Sequence, residues 1–123
     1  MRLKHLEYFT YITTNPLKKV LYTGVSNNLP QRITEHYLNK GIEASFAGKY
    51  YCYNLVYFKS FKYVEDAIAF EKRIKGWSRK KKDDLITEYN PTWRFLNEDI
   101  MEWPPGPDAA KRNDTRRCVS EEQ

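Results

Sequence analysis

The 123-residue sequence predicts an α/β fold, a small sandwich in which about three antiparallel strands are flanked by helices in the order ββαβαα. Two runs rich in β-branched and aromatic residues lie close together near the amino terminus, separated by a turn around Asn15-Pro16. Capped, helix-patterned segments then alternate with a third such run, and the cluster Pro104-Pro105-Gly106-Pro107 closes the periodic part of the chain.

Phe9, Thr10, Tyr11 and Ile12 form the first strand run, and Val20, Leu21, Tyr22 and Thr23 the second, which Gly24 ends. Asn27 and Asn28 then offer N-cap oxygens, Pro30 sits where a missing N–H costs nothing, and Gly41 terminates, so a helix is predicted over residues 29–40. A loop follows. Residues 51–58 are apolar or aromatic at nearly every position, which predicts a third strand paired with the hairpin and covered on both faces, as a central strand would be. Helices are predicted over residues 64–75 and, after Gly76 and the N-cap Ser78, over residues 79–89, ending before Asn90-Pro91. Trp93, Phe95 and Leu96 are expected to fold back as a cover on the core. Residues 1–97 therefore form one domain, and residues 98–123 a polar tail expected to lack fixed structure from about residue 104.

Composition narrows the function. The 21 Lys and Arg against 16 Asp and Glu give a net charge of +5, unevenly spread. Residues 1–97 hold 17 basic and 9 acidic side chains, a charge of +8, and residues 98–123 hold 4 and 7, a charge of −3. A basic domain suits a polyanionic partner. Cys52 and Cys118 have no zinc-binding spacing and read as free thiols in a reducing compartment. The charged start MRLKHLEYFTYI does not suit a signal peptide, and no run of about 18 apolar residues occurs, so a cytoplasmic protein is expected.

Tyr11 and Tyr22 can present two phenols on one surface of the hairpin, and Arg32 and His36, four apart, share a helix stripe beside Leu29, Ile33 and Tyr37. The four side chains can therefore converge beside Gly24, where a ligand could approach the backbone. Most of the ten tyrosines, including Tyr8, Tyr50, Tyr51, Tyr53 and Tyr57, read as packing residues. His36 is a proton shuttle, a phosphate donor or the polar end of its helix. Glu71 falls within an apolar stripe of Val64, Ala67, Ile68, Phe70, Ile74 and Trp77. It is either a stripe-edge carboxylate that reaches solvent or pairs with Arg32 or Lys75, or a ligand for Mg²⁺ or Mn²⁺. Lys72, Arg73, Lys75, Arg79, Lys80, Lys81 and Lys82 follow without an intervening acid, a solvated face or a surface that tracks phosphates.

The spacing of Tyr11, Tyr22-Thr23-Gly24, Arg32, His36 and Glu71 resembles the GIY-YIG nuclease family over residues 8–96. The signature triplets are Phe9-Thr10-Tyr11 and Tyr22-Thr23-Gly24 here, keeping only the tyrosines and the glycine. The chain is similar to small stand-alone bacterial members, and these to the amino-terminal catalytic domain of the bacterial excision-repair nuclease. The resemblance implies a metal-dependent endonuclease acting on DNA, in repair or processing, that leaves 5′-phosphate and 3′-hydroxyl ends. It implies Glu71 as the ligand of Mg²⁺ or Mn²⁺, Tyr22 with Tyr11 acting on the attacking water, and Arg32 offsetting transition-state charge. The family also carries an asparagine after its metal-binding helix, for which Asn90 is the nearest residue. The rival readings are a non-catalytic nucleic-acid-binding module and a repair-assembly protein that acts through its tail or a Trp93/Trp103 surface.

Overall fold

The computed structural model describes residues 7–106. Its elements are β1 (Tyr8–Thr14), β2 (Leu21–Ser26), α1 (Leu29–Leu38), α2 (Phe46–Lys49), β3 (Asn54–Phe61), α3 (Val64–Lys75), α4 (Arg79–Tyr89) and α5 (Asn97–Ile100). The strands form one antiparallel sheet in the order β2-β1-β3.

The expectation of a central third strand is corrected: β1 is the middle strand, and the carboxy-terminal half of β3 is partly exposed. Residues 10–14 are all buried although three are threonines, because the sheet pairs β1 on both sides and two of the hydroxyls find carbonyls. Thr10 Oγ1 donates to Ala67 O at 2.8 Å and Thr14 Oγ1 to Val20 O at 2.8 Å. The third strand also starts later than predicted. Tyr51 has a φ of 58°, which no strand accommodates, and the Cys52 N–H is taken by Ala47 O, so β3 starts at Asn54.

Alternation along β1 divides the core in two. Tyr11 packs with Leu29, Ile33, Leu55 and Leu96 on the α1 face, and Ile12 packs with Val56, Tyr57, Ile74 and Ile86 on the α3 and α4 face. Helix α1 begins as predicted, with Asn28 Oδ1 accepting the Gln31 N–H and Pro30 in the first turn. It stops at Leu38, slightly short of the expected end. The four-residue α2, where a loop was expected, is capped by Ser45 Oγ on the Gly48 N–H. Helices α3 and α4 have the predicted bounds, but Ile68, placed on the apolar stripe, is 38% exposed.

Of the expected cover, Leu96 is buried and Trp93 packs on the second core, while Phe95 is exposed. Leu96 N–H donates to Leu55 O, and the Asn97 side chain takes the Leu55 N–H and donates to Tyr53 O, tying this segment to the start of β3. Packing continues to Trp103, whose ring lies 5.0 Å from that of Tyr37. Cys52 is a buried free thiol. Residues 107–123, with Cys118 and most of the expected tail, lie outside the described residues. Among the described residues no helix is long and apolar enough to cross a membrane.

Candidate active site

Tyr11 lies in the middle strand opposite Gly24 of β2, and its ring crosses that residue toward the sheet edge. There its Oη lies 2.9 Å from His36 Nε2 and accepts a hydrogen bond from Arg32 Nε at 3.3 Å. Asn28 fixes the start of α1, and the i, i+4 spacing then puts Arg32 and His36 on the side that faces the phenol. Tyr22, two residues before Gly24, lies edge-on to the His36 ring at 5.1 Å and 6.2 Å from the Tyr11 ring. The structure thus brings together four of the five residues singled out by the sequence.

Their electrostatics follow from burial. Tyr11 has no exposed surface, and its phenol is held above its ordinary pKa by burial and the neighbouring Tyr22, which outweigh Arg32. It stays protonated. Burial, aided by Arg32, pushes His36 down to about 3, so the imidazole is neutral at pH 7. A phenol that accepts from Arg32 has one proton to give, and the buried acceptor in reach is His36 Nε2; His36 therefore carries its own proton on Nδ1. Burial works against the Arg32 charge, but Tyr11 and a hydrogen bond to Glu35 keep its pKa above the ordinary value.

Glu35 was not singled out from the sequence. Its Oε1 pairs with Arg32 Nη1 at 2.8 Å, an ion pair legible in the i, i+3 spacing. Among the described residues Arg32 Nη2 and the Tyr22 hydroxyl have no hydrogen-bond partner, and both side chains reach partly to solvent. Phe46 of α2, half exposed, stacks on Tyr22 with centroids 6.3 Å apart.

Glu71 stands apart. Helix α3 packs on the face of the sheet opposite Tyr11, and the Glu71 carboxylate, 16% exposed, pairs with Lys75. Among the described residues no group of three or more His, Cys, Asp or Glu side chains is arranged to hold a metal ion. One carboxylate still suits Mg²⁺, which keeps several waters and takes its remaining ligands from phosphate oxygens. The Asn90 side chain is taken up within the fold. Its amide donates to Val56 O and Arg94 O and accepts the Arg94 N–H, closing α4 against β3.

The basic run splits between two helices. Lys75 pairs with Glu71 and Lys80 with Asp84. Arg79 binds Asp83 through Nε and the carbonyls of Lys19 and Lys18 through Nη1 and Nη2, so it clamps the turn of the hairpin. Among the described residues Lys72, Arg73, Lys81 and Lys82 have no carboxylate partner. Lys81 Nζ lies over the Trp77 ring at 4.5 Å and Arg73 over Phe70 at 5.5 Å.

The family model of the GIY-YIG catalytic domain matches residues 7–84, which span every residue of this cluster. The chain belongs to the GIY-YIG family. It is 34% identical over 85 residues to a UPF0213 protein of Bacillus pumilus (strain SAFR-032), covering 69% of this chain and 83% of that protein. It is 36% identical over 64 residues to a UPF0213 protein encoded in the ldhD 5′ region of Pediococcus acidilactici, covering 52% of this chain and 65% of that protein. No solved structure matches significantly. GIY-YIG domains are nuclease domains, generally dependent on a divalent metal, and DNA is the substrate that such a domain implies.

Proposed function

We propose that this GIY-YIG protein is a divalent-metal-dependent endonuclease that hydrolyses DNA phosphodiester bonds in repair or processing. The observation that carries the reading is the line Arg32 Nε, Tyr11 Oη, His36 Nε2 beside the unpartnered Tyr22 hydroxyl. A basic guanidinium with one free edge is placed next to a phenol open to solvent, an arrangement suited to a phosphate and an attacking water.

Each residue has a distinct task. Arg32 uses Nε and Nη1 to hold its plane and offers Nη2 to a phosphoryl oxygen, where charge grows in the transition state. Tyr22 orients the attacking water through its hydroxyl. Tyr11, kept protonated by burial, donates to His36 Nε2 and accepts from Arg32 Nε, which holds the guanidinium in plane. Glu71 is the residue that would hold Mg²⁺ or Mn²⁺, which when bound supplies Lewis-acid stabilisation of the leaving 3′ oxygen. Lys72, Arg73, Lys81 and Lys82 track the backbone.

The test is a nicking assay on supercoiled, branched, damaged and single-stranded DNA with Mg²⁺, Mn²⁺ or a chelator. Metal-dependent cleavage that leaves 5′-phosphates and is lost in Arg32→Ala is expected. A folded protein that binds these DNAs but cuts none of them under either metal is instead a non-catalytic binding module.

A further inference from the structure

An exposed i, i+3 ion pair on a helix contributes little, but the pair between Arg32 and Glu35 is set differently. The Glu35 side chain is only 12% exposed and both of its oxygens are engaged, Oε1 by Arg32 Nη1 at 2.8 Å and Oε2 by Gln31 Nε2 at 3.3 Å. Gln31 is itself held at both ends of its amide plane. Its Oε1 accepts from Asn28 Nδ2, and its backbone N–H donates to the N-cap oxygen of the same Asn28. A continuous line of hydrogen bonds therefore runs from the helix cap through Gln31 and Glu35 to Arg32, and on through Tyr11 to His36.

We propose that Glu35 is a positioning residue for Arg32. By taking Nη1 while Tyr11 takes Nε, it holds the guanidinium at two of its three nitrogens and leaves Nη2 as the one edge presented to substrate. A flexible Arg side chain fixed in this way loses its rotamer freedom when the protein folds, and so need not lose it in the transition state. Glu35 does not touch substrate in this arrangement. Its effect is on the turnover number rather than on binding. The inference rests on the endonuclease reading for its kinetic consequence, but not for its structural one.

The experiment compares wild type, Glu35→Ala and Glu35→Gln, each with a thermal melt, steady-state kinetics on a cleaved DNA and the arginine side-chain Nε–Hε signals in a ¹⁵N–¹H correlation spectrum. Wild type should show a resolved Arg32 signal that exchanges slowly with water. Glu35→Ala should lose that slow exchange and fall ~10- to 100-fold in kcat with KM changed less than about threefold. Glu35→Gln keeps an oxygen for Nη1 and should keep the Arg32 signal and kcat within about threefold of wild type. Glu35→Ala with an unchanged Arg32 signal, or with unchanged kcat, overturns the proposal. So does Glu35→Gln matching Glu35→Ala in kcat while the signal persists, since charge rather than position would then be what matters. If wild type cuts no DNA, the endonuclease reading fails, and the Arg32 signal alone decides whether Glu35 positions it.

Discussion

Tyr11 lies across Gly24 so closely that a β-carbon built on the glycine would sit 2.6 Å from Tyr11 Oη and 2.7 Å from Cζ. Gly24 has no positive φ, so its absent side chain is a matter of space and not of backbone conformation. Gly24→Ala must therefore push the Tyr11 ring away from Arg32 and His36. We expect a drop of about 1–3 kcal/mol in stability, as for other overpacked sites, together with loss of cleavage. In a Tyr11→Leu background the steric cause is gone, and the same substitution should cost at least ~0.5 kcal/mol less. Urea melts of the four proteins give the coupling; strict additivity would mean that the ring and the glycine do not interfere.

The two tyrosines should separate cleanly. Tyr22→Phe removes a hydroxyl that bonds nothing among the described residues, so stability should change by less than about 0.5 kcal/mol while the rate falls at least about a hundredfold. Tyr11→Phe leaves His36 Nε2 and Arg32 Nε without their buried partner and should cost about 1–3 kcal/mol. A Tyr22→Phe protein with full turnover would reduce Tyr22 to packing.

The hairpin and first helix were legible because their signals are local: strand runs, a turn, an Asn cap and a Pro at the right offset. What misled was burial, which is set by pairing partners distant in sequence. Thr10, Thr13 and Thr14 make β1 look half exposed, yet it is the middle strand, whereas Tyr51, Cys52 and Tyr53 look like strand and precede it. Period and spacing allowed Tyr11, Tyr22, Arg32 and His36 to meet, but only the resemblance to the family set these residues apart from the other tyrosines and basic side chains. Glu71 could be placed on the apolar stripe, but not on a face of the sheet, since that depends on how α3 crosses it. The clamp by Arg79 joins residues about sixty apart and left no local trace in a run that reads as plain charge.

Glu71 and Lys75 make the metal reading testable through the partner. A cation that binds Glu71 must displace or repel the Lys75 ammonium, whose side chain is 53% exposed. Lys75→Met should therefore lower the Mn²⁺ concentration needed for half-maximal cleavage by up to about fivefold, the scale of an exposed ion pair. Glu71→Gln should abolish cleavage while DNA binding persists, because affinity comes mainly from Lys and Arg. Wild-type cleavage by Glu71→Gln in Mg²⁺ would place the metal elsewhere.

His36 makes the fold acid-sensitive. Its imidazole titrates at about 3 in the fold against 6.5 in an ordinary setting, so between these values the unfolded chain binds a proton that the native protein excludes. Stability is fully present above pH 6.5 and declines as pH falls, with a slope of up to about 1.4 kcal/mol per unit from this one group. Between about pH 6.5 and 5, above the main carboxylate range, His36→Gln should flatten that slope. An unchanged profile would mean that position 36 is accessible to a proton without unfolding.

Arg79 and its neighbours should part company in a salt series. All three guanidinium nitrogens of Arg79 are bound within the protein, two of them to carbonyls of the turn that joins the strands bearing Tyr11 and Tyr22. Arg79→Ala should therefore loosen the hairpin, lowering stability by about 1–3 kcal/mol, while leaving the salt dependence of DNA binding nearly intact. Lys72, Arg73 and Lys81 are exposed and without carboxylate partners among the described residues. Replacing these three by Gln should leave the melt nearly unchanged and reduce the slope of log affinity against log salt on duplex DNA by up to about 0.9 for each phosphate no longer neutralised. The weakening should be similar across sequences, because binding to phosphates carries no base information. If the triple variant keeps the wild-type slope and Arg79→Ala lowers it, the DNA runs along the α4 side of the turn and the assignments of these basic residues exchange.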